Sequence, residues 1–275
     1  MNIGIDLGGT NVRAGLVDEG NVLELESRRI DSLNTESDVI DAVLDLIGEL
    51  AGKDVNGIGI GVPSVVDTKH GVVYDVQNLP GWDEVPLKDI IEKKIGISTF
   101  VNNDANCFAL GENYFGKGKN HDSFIAINIG TGFAGGIIIH NNLYEGHNCG
   151  AGEFGTVPFG DSIMEHYCAG LYFQRQHKSS GEKLHAKAEK GDLRARAAFR
   201  DFGKYVGFVL NSILYNYDPQ AIILGGSVTR SYPFFRDSMM SEMQDFAFPK
   251  TIENLTIEIS ENENIAVLGA AALCL

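Results

Sequence analysis

Asp6-Leu7-Gly8-Gly9-Thr10-Asn11 interrupts two apolar runs, Met1 to Asp6 and Val12 to Val17, and its reading decides the fold. The flanking runs have the β-branched, alternating character of strands. The glycines let the turn bring backbone N–H groups close to a phosphate, Thr10 adds a hydroxyl, and Asp6 places a carboxylate where a phosphate's Mg²⁺ would sit, held through water. An ordinary hairpin turn would need only the two glycines. The acid, the glycine pair and the threonine in that order favour phosphate binding.

The pattern recurs. Asn128-Ile129-Gly130-Thr131-Gly132 ends another apolar run, Ser123 to Ile129, and precedes Gly135 to His140. Two glycine turns, each between paired strands, imply two similar halves able to grip one polyphosphate. A third turn, Leu224-Gly225-Gly226-Ser227, ends the buried strand Ala221 to Leu224. None of these has the G-x-x-x-x-G-K-[ST] order of a P-loop, and no G-x-G-x-x-G run opens a helix.

Around the first turn a third strand, Val22 to Arg29, completes a meander. Val39, Val43, Leu46, Ile47 and Leu50 then recur at helical spacing within Ser37 to Gly52, with Ser37 as cap. Strands are expected at Gly57 to Val62 and Ser98 to Asn102, helices at Leu87 to Ile95 and Ala105 to Phe115. The second half predicts helices over Leu193 to Tyr217, Phe234 to Phe246 and Ile265 to Leu275, and a strand over Thr256 to Ile259. A meander followed by alternating helix and strand, twice over, is the layout of a duplicated RNase H-like unit: α/β, two domains, an active-site cleft between them. The expected division is residues 1–105, completed by the helix 265–275, and residues 106–264.

The 275 residues are 44% hydrophobic and 21% charged, without the ~18 uninterrupted apolar residues of a membrane span. Twenty-two basic against 37 acidic residues give a formal charge of -15, which repels nucleic acid and anionic membrane. The basic residues Lys187, Lys190, Arg194, Arg196 and Arg200 are interleaved with acids in a helical register, as on a solvated face. Four scattered cysteines without a C-x-x-C pair, and no basic leader before the first strand, lead us to expect a cytoplasmic protein.

Asp6 to Arg13, Asn103-Asp104-Ala105-Asn106, the Gly130-Thr131-Gly132 loop, Ala151-Gly152-Glu153-Phe154-Gly155 and Leu224-Gly225-Gly226 stand in the order of the ROK family, which the chain resembles along nearly its whole length. That family comprises repressors and sugar kinases. The resemblance implies an actin-like ATPase fold, ATP and Mg²⁺ as cofactors, a homodimer, and transfer of the γ-phosphoryl to a hexose hydroxyl, the 6-OH, with glucose as first expectation. N-acetylmannosamine or fructose kinases, or a sugar-binding regulator without catalysis, are the alternatives.

By the same resemblance Asp104 is the base that takes the sugar hydroxyl's proton; it would also serve as N-cap of the helix starting at Ala105. Ser64, Asn78, Asn103, Glu153 and Glu165 are the other implied sugar contacts. Gly8, Gly9, Thr10, Asn11, Gly130, Thr131, Gly132, Gly225 and Gly226 are the implied phosphate contacts. The sequence departs from the family at Thr156, where most members carry a histidine binding sugar and zinc, and no thiol or imidazole lies between Thr156 and Glu165, so no structural zinc is expected. Ser64 stands where glycine is usual. The family's repressors carry a winged helix ahead of the phosphate loop, and with only five residues before Asp6 DNA binding is not expected.

Overall fold

The structure is a computed structural model and describes residues 1–31, 35–52, 54–76 and 81–275. β1 (Asn2–Leu7), β2 (Asn11–Asp18) and β3 (Asn21–Arg29) form the antiparallel meander. α1 (Glu36–Leu50) buries Val39, Val43, Leu46, Ile47 and Leu50, the residues whose spacing predicts it. Its cap is Thr35, whose hydroxyl accepts from Asp38 N–H at 3.2 Å; Ser37, the expected cap, lies one residue inside the helix. β4 (Gly57–Val62), buried throughout, pairs parallel with β1. After α2 (Leu87–Ile95), β5 (Thr99–Asn103) pairs parallel with β4 and leads into α3 (Asp104–Phe115). The first sheet therefore has the order β3-β2-β1-β4-β5. Val65–Asp67, Val72–Tyr74 and Glu84–Val85 form a small antiparallel sheet that nothing in the sequence announces.

The order is repeated. β6 (Phe124–Ile129), β7 (Phe133–Ile139), β8 (Asn142–Leu143), β9 (Ala221–Gly225) and β10 (Thr256–Ile259) form a sheet in the order β8-β7-β6-β9-β10, with β6, β9 and β10 parallel. Helices α4 (Glu165–Cys168), α5 (Leu171–His177), α6 (Gly181–Glu189), α7 (Leu193–Tyr217), α8 (Tyr232–Met243), α9 (Pro249–Asn254) and α10 (Ile265–Ala272) follow in chain order. Phe173, Phe199, Phe202 and Phe235 stack in the core between α5, α7 and α8.

The chain packs as two compact units: residues 1–122, 136–151 and 261–275, and residues 123–135 with 152–260. α3 thus belongs to the first unit, beyond the boundary expected at residue 105. The reason is close packing of α3 on α10, which is apolar on every side and so must be buried. A Cβ built on Gly269 would stand 1.7 Å from the Cys107 carbonyl oxygen, and one on Gly59 of β4 would stand 1.8 Å from that of Ala270. Only hydrogen fits at either place. Among the described residues no helix is long and apolar enough to cross a membrane.

Candidate active site

In the first unit the site residues issue from the carboxyl ends of three adjacent parallel strands, where ligands bind in open α/β sheets. Asp6 on β1 lies opposite Gly61 of β4, and Gly61 and Val62 lie opposite Asn102 and Asn103 of β5. The Gly8–Asn11 turn is closed by Gly8 N–H donating to the Asn11 carbonyl at 3.0 Å. The amides of Gly9 and Thr10 make no backbone hydrogen bond among the described residues, and Thr10 and Asn11 are exposed. The donors needed for a phosphate are therefore available.

Asp104 opens α3, but the cap is Asn103: its Oδ1 accepts from Ala105 N–H at 2.8 Å and Asn106 N–H at 3.2 Å. This corrects the expectation for Asp104, which occupies the first helical position and itself accepts from Ala105 N–H at 2.8 Å. Asn103 Nδ2 also donates to the Ser64 carbonyl at 3.2 Å, so most of this amide's capacity goes to the fold, with one N–H of Nδ2 remaining for a ligand. The Ser64 hydroxyl donates to the Tyr74 carbonyl, fastening the turn after β4 to the small sheet. Burial pushes the Cys107 thiol well above its ordinary range, and the Asp104 and Asp6 carboxylates push it further.

Burial likewise raises the Asp6 carboxyl, with Arg13 opposing. Arg13 is held at the start of α10 by the Glu263 carbonyl, 3.0 Å, and the Asn264 side chain. The Asp6 carboxylate receives no hydrogen bond among the described residues. A desolvated carboxylate without protein donors fits Mg²⁺, which keeps waters and takes one or two carboxylates beside phosphate oxygens.

The sequence did not point to Asn102. Buried at the end of β5, its Oδ1 accepts from Asn103 N–H at 2.8 Å, Asn106 Nδ2 at 2.9 Å and the Cys149 thiol at 3.3 Å, while its Nδ2 donates to Glu145. This cluster fixes the chain on which Asp104 stands.

The second unit gathers the remaining candidates. Gly130 N–H donates to the Gly132 carbonyl at 3.0 Å, and Gly170 N–H to that of Gly130 at 2.8 Å. The turn opens onto a cavity of about 590 Å³ whose walls include Gly130, Thr131, Phe173, Ser180, His185 and Arg230. Gly226, at φ 89°, packs beneath it: a Cβ there would stand 2.3 Å from Asn128 Oδ1 and 2.5 Å from the Ile129 carbonyl oxygen. Residues 227, 228, 230 and 231, rather than Gly225 and Gly226, line the cavity. Glu165 opens α4, with Oε2 2.9 Å from where a Gly132 Cβ would be. Burial, then the Glu165 charge, raises the Glu153 carboxyl, and Glu165 Cβ lies 3.1 Å from where a Gly155 Cβ would be, two residues along the chain from Glu153. Asn78 lies outside the described residues.

Residues 2–275 match the family model described as "ROK family". The chain belongs to the ROK family. It is similar to a glucokinase of Thermotoga maritima, 29% identical over 98% of this chain and 96% of that protein. It is also 30% identical to a xylose repressor of Bacillus subtilis, over 99% of this chain and 76% of the repressor. Among solved structures, a ROK glucokinase from Streptomyces griseus in complex with glucose and AMPPNP superposes with a TM-score of 0.86 at 29% identity, covering 99% and 98% of the two chains. The ROK chain described here has the actin-like ATPase fold, its two sheets sharing one strand order. At Thr156, where most ROK proteins carry histidine, the hydroxyl donates to the Glu153 carbonyl at 2.9 Å. Cys168 donates to the Met164 carbonyl and His166 meets Ser162, and among the described residues no group of three or more His, Cys, Asp or Glu is placed to hold a metal.

Proposed function

We propose that this protein is an ATP-dependent sugar kinase that transfers the γ-phosphoryl of ATP to the 6-OH of a hexose, glucose in the first place. The observation that carries the reading is the placement of Asp6 and Asp104 at the carboxyl ends of β1 and β5, either side of β4, on the sheet edge that also carries a turn with available amides. Similarity to glucokinases, one of them holding glucose and an ATP analogue, supports it.

In this reading Asp104 accepts the hydroxyl proton as the oxygen attacks in line, a role worth about 10²–10⁴ in rate. In the first unit the Gly9 and Thr10 amides bind phosphate oxygens and need not reorganise as charge develops; in the second the Gly130–Gly132 turn has the same role. Mg²⁺, when bound, neutralises charge on the phosphates, with Asp6 as its residue through water. The cavity behind Thr131 takes the nucleoside. In the first unit the remaining Asn103 N–H is a sugar contact and Ser64 fastens the neighbouring turn through the Tyr74 carbonyl; in the second unit Glu153 and Glu165 are the sugar contacts. A cytoplasmic homodimer is part of the proposal.

A coupled ADP-release assay with ATP and Mg²⁺ over glucose, mannose, fructose, N-acetylglucosamine and N-acetylmannosamine, beside a no-sugar control, tests it. Sugar-dependent ADP release is the expected result, largest with glucose; a larger response to N-acetylmannosamine or fructose would replace the substrate and keep the reaction. The similarity to a xylose repressor favours one second reading, a sugar-binding regulator. Calorimetric sugar binding with no ADP release across the panel would establish that reading instead.

A further inference from the structure

Glu165 is the first residue of a four-residue helix, which is too short to hold a direction by itself. Before it runs a hairpin of two-residue strands, Pro158–Phe159 and Ser162–Ile163, and two-stranded hairpins are marginal in water. Thr156, Val157, Pro158, Gly160 and Asp161 are exposed, so no core explains why this segment has one conformation.

Side chains immediately after Glu165 do explain it. Tyr167 donates its hydroxyl to the Asp161 carboxylate at the hairpin tip, and Asp161 N–H donates back to Tyr167 Oη at 3.4 Å. His166 Nδ1 lies 2.6 Å from the Ser162 hydroxyl. The Phe159 ring stands edge-on to Tyr167 at 5.0 Å and also meets Phe208 of α7 at 5.0 Å. Tyr167 in turn packs on Tyr205 of α7 at 5.2 Å. Met164 N–H donates to the Val157 carbonyl at 2.9 Å, closing the base. Because of its Tyr167 partner, the Asp161 carboxyl lies below its ordinary range.

We propose that Tyr167 is a positioning residue: with Asp161 and Phe159 it clamps the hairpin 158–163 between α4 and α7 and thereby aims Glu165 at the bound sugar. This rests on the reading of Glu165 as a sugar contact. A clamp of this kind acts on sugar affinity and leaves nucleotide affinity alone, because the cavity beside Thr131 includes none of its members.

The test is Tyr167→Phe, which keeps the ring stacking and removes the hydroxyl. Sugar KM is expected to rise about tenfold, the scale of one hydrogen bond to a charged group, with KM for ATP within about twofold of wild type. Asp161→Asn, which still accepts the bond but without the charge, should give a smaller rise of about threefold, Asp161→Ala the full rise, and the double variant Tyr167→Phe with Asp161→Ala no further rise. Equal rises in both KM values, or additive single effects, would overturn the clamp. Should the wild-type protein release no ADP with any sugar, the kinase reading fails by itself and the clamp is judged by hydrogen exchange. Amides of Met164, Tyr167 and Cys168 are then expected to exchange about tenfold faster in Tyr167→Phe with α7 unchanged, and unchanged exchange in that segment would refute it.

Discussion

Asp6 and Asn128 occupy the same place in two copies of one sheet. Each lies two residues before a glycine turn, on the strand that is antiparallel to its meander partner and parallel to the next, and each is opposite a glycine, Gly61 for Asp6 and Gly225 for Asn128. One copy carries a carboxylate there and the other its neutral amide. The acid copy adds Asp104 and builds a charged strand-end site; the amide copy adds Gly226 packed on Asn128 and opens onto a nucleoside-sized cavity. The scaffold supplies two equivalent positions, and in the proposed reading single side chains divide the work between chemistry and binding.

The most damaging way to break this division is Asp104→Asn. It removes the proposed base while leaving the Asn103 cap, and kcat is expected to fall about 10³-fold with an unchanged circular dichroism spectrum. Asp6→Asn makes the two turns alike. Activity should fall about 10²-fold, the scale of losing one charge-stabilising group, with a higher Mg²⁺ requirement measured by titration.

The same variant should be more heat-stable than wild type at pH 7. A carboxyl raised by burial loses native-state stability as pH climbs from its unfolded pKa through its folded one, so the gain from removing it is complete above the folded value and vanishes below the ordinary value of 3.8. Melting curves across that range check the sign. The converse swap, Asn128→Asp, places a charge beside the phosphate turn and should raise KM for ATP roughly tenfold, the factor of about 1.4 kcal/mol, with sugar KM unaltered. Thr156→Ala removes only a local turn bond to Glu153; a loss of about 1 kcal/mol in urea unfolding and kinetics within about twofold are expected.

The sheets were legible because strand alternation and the long apolar faces of α1 and α7 carry their own period. The ends of α2 and α7 agree with the sequence reading for the same reason. Caps were less so: threonine, serine, asparagine and aspartate are near-equals for the role, and Thr35 over Ser37, or Asn103 over Asp104, is decided by where the strand delivers the chain. The small sheet after Ser64 and the short helices between Glu165 and Glu189 have too few residues for a period to show. Asn102 and Glu145 are 43 positions apart, and the pairing that steadies Asp104 leaves no local trace. The cavity by Thr131 depends on α5, α6 and residues 227–231 together, which no stretch of sequence displays.

α10 fills a bed of glycines on β1, β4 and α3, with Cβ positions of Gly4, Gly59 and Gly111 falling 2.0, 1.8 and 2.1 Å from its carbonyl oxygens. During translation those three elements leave the ribosome long before their cover does. The first unit must wait, its groove open, until residues 261–275 arrive, whereas residues 152–260 have all emerged by then. The first unit is thus closed by its most distant segment in sequence, whereas the second unit is complete before that segment is made.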